Sequence, residues 1–146
     1  MMSKTNSNEV AFIFFDNEEK GLLGSKAFNK VHKELLNDKL VINLDCVGNG
    51  NHFIVIEKED ATKLDIYKQI KKGLLNSNKY SFDFYSNKNA SSNSDHKNFK
   101  NGVGIVACNK GKYIKYYTSK IHTDKDTFVD IDNLSFLSNE LIKNFI

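Results

Sequence analysis

Arginine is absent from the 146 residues: all 21 basic side chains are lysines, set against 18 acids for a net charge of +3. Without a guanidinium fork the chain has no bidentate partner for phosphates or base edges. Its lysines are scattered among acids and asparagines rather than gathered in a stripe, the pattern of a solvated surface. Nucleic acid is therefore not an expected partner. Long apolar runs are lacking too. No stretch reaches the roughly 20 residues that a membrane-crossing helix needs, and the polar start from Met1 to Asn8 has no apolar leader core. Neither a membrane nor an export signal is expected, and the sequence sets no localisation. Cysteine is scarce. Cys46 and Cys108 lie far apart in different apolar contexts, which suggests neither a disulfide framework nor a zinc knuckle. Both are expected as buried free thiols. Val47-Gly48-Asn49-Gly50 lacks the third spaced glycine and following helix of a nucleotide loop, so it reads as a turn. There is no internal repeat.

What is present suffices for one domain: 40% apolar residues with 12% aromatics can bury an ordinary core. Val10 to Phe15 is a continuous apolar run closed by Asp16 and Asn17, the pattern of a strand buried on both faces. A helix is expected from about Ser25, capped by that serine, with Ala27, Phe28, Val31, Leu35 and Leu36 inward. Leu40 to Leu44 and Phe53 to Ile56 read as strands. Asp60 can cap a helix whose Leu64, Tyr67, Ile70, Leu74 and Leu75 recur at helical spacing. Tyr80 to Tyr85 is a further strand. The polar loop over 86–94 ends at Ser94-Asp95-His96, which can open a short helix before Phe99. Val103 to Ala107 and Tyr113 to Tyr117 are strand-like, and Leu134 to Ile146 closes as a helix. Strands alternating with helices at this spacing imply an α/β layered sheet.

In such sheets ligands bind beyond the carboxyl ends of the strands. Asp16, Glu18 and Glu19 follow the first run, Asp45 ends the second, and His122 follows Tyr113 to Tyr117. Carboxylates and an imidazole from three loops are donors that suit zinc, manganese or cobalt. Glu18 and Glu19 cannot point the same way from an extended strand, so a turn is needed to separate them, and Gly21 and Gly24 permit one. Singly, each feature is more often an ordinary solvated side chain. His32, on a helix beside Lys33, reads as a surface residue, and His52 as the start of a strand.

Together the segments carry more. Phe14-Phe15-Asp16-Asn17-Glu18-Glu19-Lys20-Gly21-Leu22-Leu23-Gly24-Ser25, Ile42-Asn43-Leu44-Asp45-Cys46-Val47-Gly48, Ser94-Asp95-His96-Lys97-Asn98-Phe99 with Gly102-Val103-Gly104-Ile105, and Ile121-His122-Thr123-Asp124-Lys125-Asp126-Thr127 resemble, in order, the signature blocks of the co-catalytic two-zinc aminopeptidases. More distant relatives of these are glutaminyl cyclases and glutamate carboxypeptidases. The resemblance runs from about residue 10 to the end. It implies a three-layer zinc-exopeptidase-like α/β fold, a mixed sheet with helices on both faces, and hydrolysis of N-terminal residues from a peptide substrate by a zinc-activated water. Glu18 would be the general base, Glu19 and His122 ligands of one metal, and Asp45 a ligand of the other. Asp95 and His96 would shape the pocket wall, a cap at Asp95 being the plain alternative, and Asp126 and Thr127 would brace the His122 loop.

One departure stands out. The family's His-x-Asp ligand and bridging aspartate precede the Glu-Glu block, and the nine residues before Val10 contain neither histidine nor aspartate. The expectation is a partial domain over 1–146 with a disordered or tag-like start at 1–9, one zinc or none in place of two, and no activity alone. The sheet edge would be left open for a missing N-terminal half or a second copy. The alternative is a non-catalytic binding remnant of the same fold.

Overall fold

The computed structural model describes residues 10–90, 93–118 and 120–143. The expected tag-like start over 1–9, residues 91 and 92 of the polar loop and the last three residues of the C-terminal helix lie outside the described residues. In chain order the elements are α1 (Leu23–Leu36), β1 (Val41–Leu44), β2 (His52–Glu57), a 3-10 turn (Ala61–Lys63), α2 (Asp65–Leu75), β3 (Ser81–Ser86), a 3-10 helix (Asp95–Asn98), β4 (Gly102–Cys108) and α3 (Ile131–Ile142).

The four strands form one mixed sheet in the order β1-β4-β2-β3, with β1 parallel to β4, β2 parallel to β3, and β2 antiparallel to β4 at the centre. The central strands β2 and β4 are buried almost throughout, which is why they read as unbroken apolar runs. Phe53, Val55, Val103, Ile105, Ala107 and Phe82 form the core with Tyr67, Ile70 and Leu74 of α2 and with Leu137 and Leu141 of α3. The alternate residues of the strands, including Asn43, Ile54, Ile56, Gly104 and Val106, point to the opposite face. The 3-10 helix lies on that face against β4 and β1, and α1 packs on the 3-10 helix. The expected mixed sheet between helical layers is the architecture found.

Two corrections concern apolar runs. Val10 to Phe15 forms no strand: it has no ladder partner among the described residues, and Phe12, Ile13 and Phe14 are exposed. Apolar composition expresses a need for burial, whereas a strand also needs a neighbouring backbone. Phe15 finds partners, its ring lying 5.6 Å from Phe28 and 5.7 Å from Phe99. Tyr113 to Tyr117 is not a strand either, and a single bridge from Tyr117 to Asn109 fixes it.

Three further corrections concern caps and faces. Ser25 does not cap α1. It is buried inside the helix and donates to the Leu22 carbonyl at 3.2 Å, while Ala27, Val31 and Leu35 face outward. Asp60 precedes the 3-10 turn and pairs with Lys63 at 2.9 Å instead of capping α2, and Leu75 is exposed. Cys46 is exposed, whereas Cys108 is buried as expected.

A cap the sequence reading passed over is Asp130, whose carboxylate accepts from the amides of Asp132 at 2.9 Å and Asn133 at 3.3 Å at the start of α3. Asp130→Ala is expected to cost about 1 kcal/mol, read as a lower urea midpoint with an unchanged slope. An unchanged midpoint would show that the cap does not hold α3 in place.

Candidate functional site

Three loops converge at one end of the sheet. The first is a tight turn at Glu18 and Glu19, entered through Asn17 in the left-handed region (φ 52°) and left through Gly21 (φ 95°). The amides of Gly21 and Leu22 both donate to the Glu18 carbonyl, at 3.0 and 2.8 Å. Gly24 lets the turn close on the helix, since a Cβ there would sit 2.6 Å from the Asp16 carbonyl oxygen. The turn sends the two acids apart. Glu18 is half-buried, and Glu19 reaches outward, its Oε1 lying 3.5 Å from His122 Nδ1. Burial raises the Glu18 carboxyl above its ordinary value, and the nearby Asp45, Glu19 and Asp95 carboxylates add to the rise against an opposing His122.

Asp45 leaves the end of β1 and is held by a hydroxyl relay: Asn43 Nδ2 donates to Ser94 Oγ at 2.6 Å, and Ser94 Oγ donates to Asp45 Oδ2 at 2.7 Å. Ser94 as the partner of Asp45 was legible only in part, because Asn43 shares a strand face with Asp45 but nothing in the sequence brings residue 94 to them. Cys46, also left-handed (φ 53°), follows Asp45. Partial desolvation and the adjoining Asp45 carboxylate push its thiol up to about 12.

Asp95 does not cap its 3-10 helix. Its Oδ1 accepts from Ser25 Oγ at 2.5 Å, and Asn98 Nδ2 donates to the same Ser25 oxygen at 2.6 Å, which ties the 3-10 helix to α1. His96 lies buried under β4, where the missing side chain of Gly104 leaves room for its ring: a Cβ on Gly104 would come within 2.6 Å of Nδ1. Both ring nitrogens lack a hydrogen-bond partner, and burial, with Lys97 and Lys58 nearby and Asp45 opposing, pushes the imidazole down to about 4. His96 is a packed neutral ring in the wall behind the site.

The third loop carries His122, itself left-handed (φ 60°). Its turn is held by Thr123, whose Oγ1 donates to the Lys120 carbonyl at 2.6 Å and whose own carbonyl accepts from the Asp126 amide at 3.1 Å. Asp126 and Thr127 follow on the same loop and are exposed.

Glu18, Glu19, Asp45 and His122 line a cavity of about 440 Å³ together with Ile54, Val106, Tyr116 and Tyr117. Glu19 and His122 fit as a pair of cation ligands. Yet among the described residues no group of three or more His, Cys, Asp or Glu side chains is placed to hold a metal ion, whereas zinc takes three or four protein ligands. The described donors do not by themselves fit a closed zinc centre.

Against this geometry stand two resemblances. A model for Peptidase family M28 matches residues 1–143. The crystal structure of the LapA aminopeptidase of Legionella pneumophila is similar in fold, with a TM-score of 0.63 at 20% sequence identity. The match covers 92% of this chain and 37% of that one, so the chain spans little more than a third of the solved protein's length. No curated protein matches the sequence.

Proposed function

The chain belongs to peptidase family M28, and from that membership we propose that it is an aminopeptidase-type metallopeptidase domain acting on the free N-terminal ends of peptides. The observation that supports this most is the meeting of Glu18, Glu19, Asp45 and His122 around one cavity that Ile54 and Val106 also line. Glu18, half-buried between the Asp45 side and the Glu19 turn, is the group to take a proton from an attacking water and return it to the leaving amine. Glu19 and His122 line the same cavity. Zinc is the ion the family resemblance implies. The described donors fall short of a full set for it, and the chemistry of the chain's own groups is proton transfer and substrate placement.

The shortage of donors favours a second reading, a non-catalytic remnant that binds peptides without cutting them. Further ligands have one evident place of entry: β1 pairs only with β4 among the described residues, and a segment laid along its outer edge would run beside Asp45. Another polypeptide or a second copy of the chain would suit that edge.

Elemental analysis after dialysis against dilute zinc separates the readings. The chain is expected to retain weakly held zinc that the Glu19→Ala, His122→Ala double variant loses, while Glu18→Gln retains the zinc and lowers any hydrolysis of aminoacyl anilides by about 10²- to 10⁴-fold. Zinc binding indifferent to the double substitution would overturn the metal role of these residues. Hydrolysis indifferent to Glu18→Gln would overturn its role as base.

A further inference from the structure

A second cavity, of about 240 Å³, adjoins the first: Ile54, Val106 and Tyr116 line both. Its floor is apolar, made by Ile54 and Ile56 of β2 and Val106 of β4, and its rim carries Tyr85, Tyr116 and Lys115. The Lys115 ammonium donates to Tyr85 Oη at 2.5 Å and stands 5.0 Å from the Tyr85 ring centroid and 5.3 Å from that of Tyr116. Among the described residues its partners are a phenol and two aromatic faces, and it forms no carboxylate ion pair.

The neighbouring acid, Asp83, is otherwise engaged. It accepts from the Tyr116 hydroxyl, lies 3.0 Å from His52 Nε2 and 3.5 Å from Lys110 Nζ. Its contacts are thereby taken by other groups, and it acts on Lys115 only through space, so that among the described residues Lys115 is a cation beside an apolar trough with no carboxylate in contact. A carboxylate enters such a place favourably only where a cation receives it, and Lys115 stands exposed at the rim with its ammonium held against two aromatic faces.

We propose that this second cavity receives the side chain of the substrate's N-terminal residue and selects an acidic one on an apolar stem, glutamate. This rests on the aminopeptidase-type reading of the adjoining site. With the scissile bond at the Glu18 end, the side chain passes over Ile54 and Val106, its methylenes lie on the isoleucines, and its carboxylate meets Lys115 while Tyr85 orients the ammonium.

Binding tests this without turnover. Isotope-labelled full chain is titrated with glutamyl-glycine and with leucyl-glycine, and the amide shifts of Ile54, Val106 and Tyr116 are followed by NMR. Glutamyl-glycine is expected to bind about tenfold more tightly, which corresponds to about 1.4 kcal/mol. Lys115→Met is expected to reverse the order and Lys115→Arg to restore it, each with a melting temperature near that of the parent. Equal or tighter binding of leucyl-glycine, a preference that survives Lys115→Met, or shifts that avoid these three amides would overturn the proposal. Failure of the zinc and hydrolysis tests with this preference intact would sink the peptidase reading and leave an acid-selective peptide site. A sound zinc result without the preference would sink only the assignment of the cavity.

Discussion

Phe53→Ala is expected to destabilise the domain by about 3–5 kcal/mol, the usual cost of removing a fully buried aromatic ring. Phe53, the second residue of β2, is completely buried. Its ring stacks on Phe82 of β3 at 5.1 Å, meets Tyr80 edge-on at 5.4 Å and faces Phe136 of α3 at 6.4 Å. One side chain thus joins two strands to the C-terminal helix, and its loss opens a void lined by rings that have few ways to collapse into it. Against a total stability of about 5–15 kcal/mol for ordinary domains, the variant should sit close to unfolding at ambient temperature. Urea denaturation followed by circular dichroism reads this directly. A loss below about 1 kcal/mol would show that the aromatic cluster is not the keystone of the core.

Acidification is expected to weaken the fold well before the carboxylates titrate. His96 is buried without a hydrogen-bond partner, and its imidazole is pushed from 6.5 down to about 4. The unfolded chain therefore takes up this proton first as pH falls, so the stabilisation is complete above about 6.5, drains away between 6.5 and 4, and is gone below. A shift of this size corresponds to roughly 3 kcal/mol. The groups that set it are Lys97 and Lys58, which oppose protonation along with burial, and Asp45, which favours it. His52, lowered chiefly by burial and next by Lys110 with Asp83 opposing, acts in the same direction. Unfolding free energies at pH 7.5 and 4.5 should differ in the parent, and most of the difference should vanish in His96→Leu. A parent curve flat across that window would show that the ring is solvated.

Much of the architecture was written in local patterns. The runs around β2 and β4, the spacing of Tyr67, Ile70 and Leu74, and the Ser94-Asp95-His96 start of a 3-10 helix each follow from burial periodicity or turn chemistry that needs no knowledge of the rest of the chain. The misses share another cause. Val10 to Phe15 has the composition of a strand without a backbone to pair with, and α1 has apolar residues at Val31 and Leu35 that the described fold leaves facing out. Composition records what a segment would bury, not whether a partner stands opposite. Within the site, Glu18, Glu19, Asp45 and His122 were legible because order and spelling set them apart from ordinary surface acids. The Asn43 to Ser94 to Asp45 relay and the fit of His96 over Gly104 were not, since each depends on which strands lie side by side. Cys46 looked like a core thiol by its neighbours Val47 and Leu44, and its left-handed backbone turns it outward instead.

The strand order has a consequence for the chain as it leaves a ribosome. β4 lies between β1 and β2, so the two halves of the sheet share no hydrogen bonds until residues 102–108 arrive to join them. Glu18, Glu19 and Asp45 are made before that insertion, and β1 and β2 each keep an edge of unpaired backbone N–H and C=O groups in the meantime. The strands that carry the site acquire a fixed relation to one another only once residue 108 has been made. The histidine that completes their company comes later still.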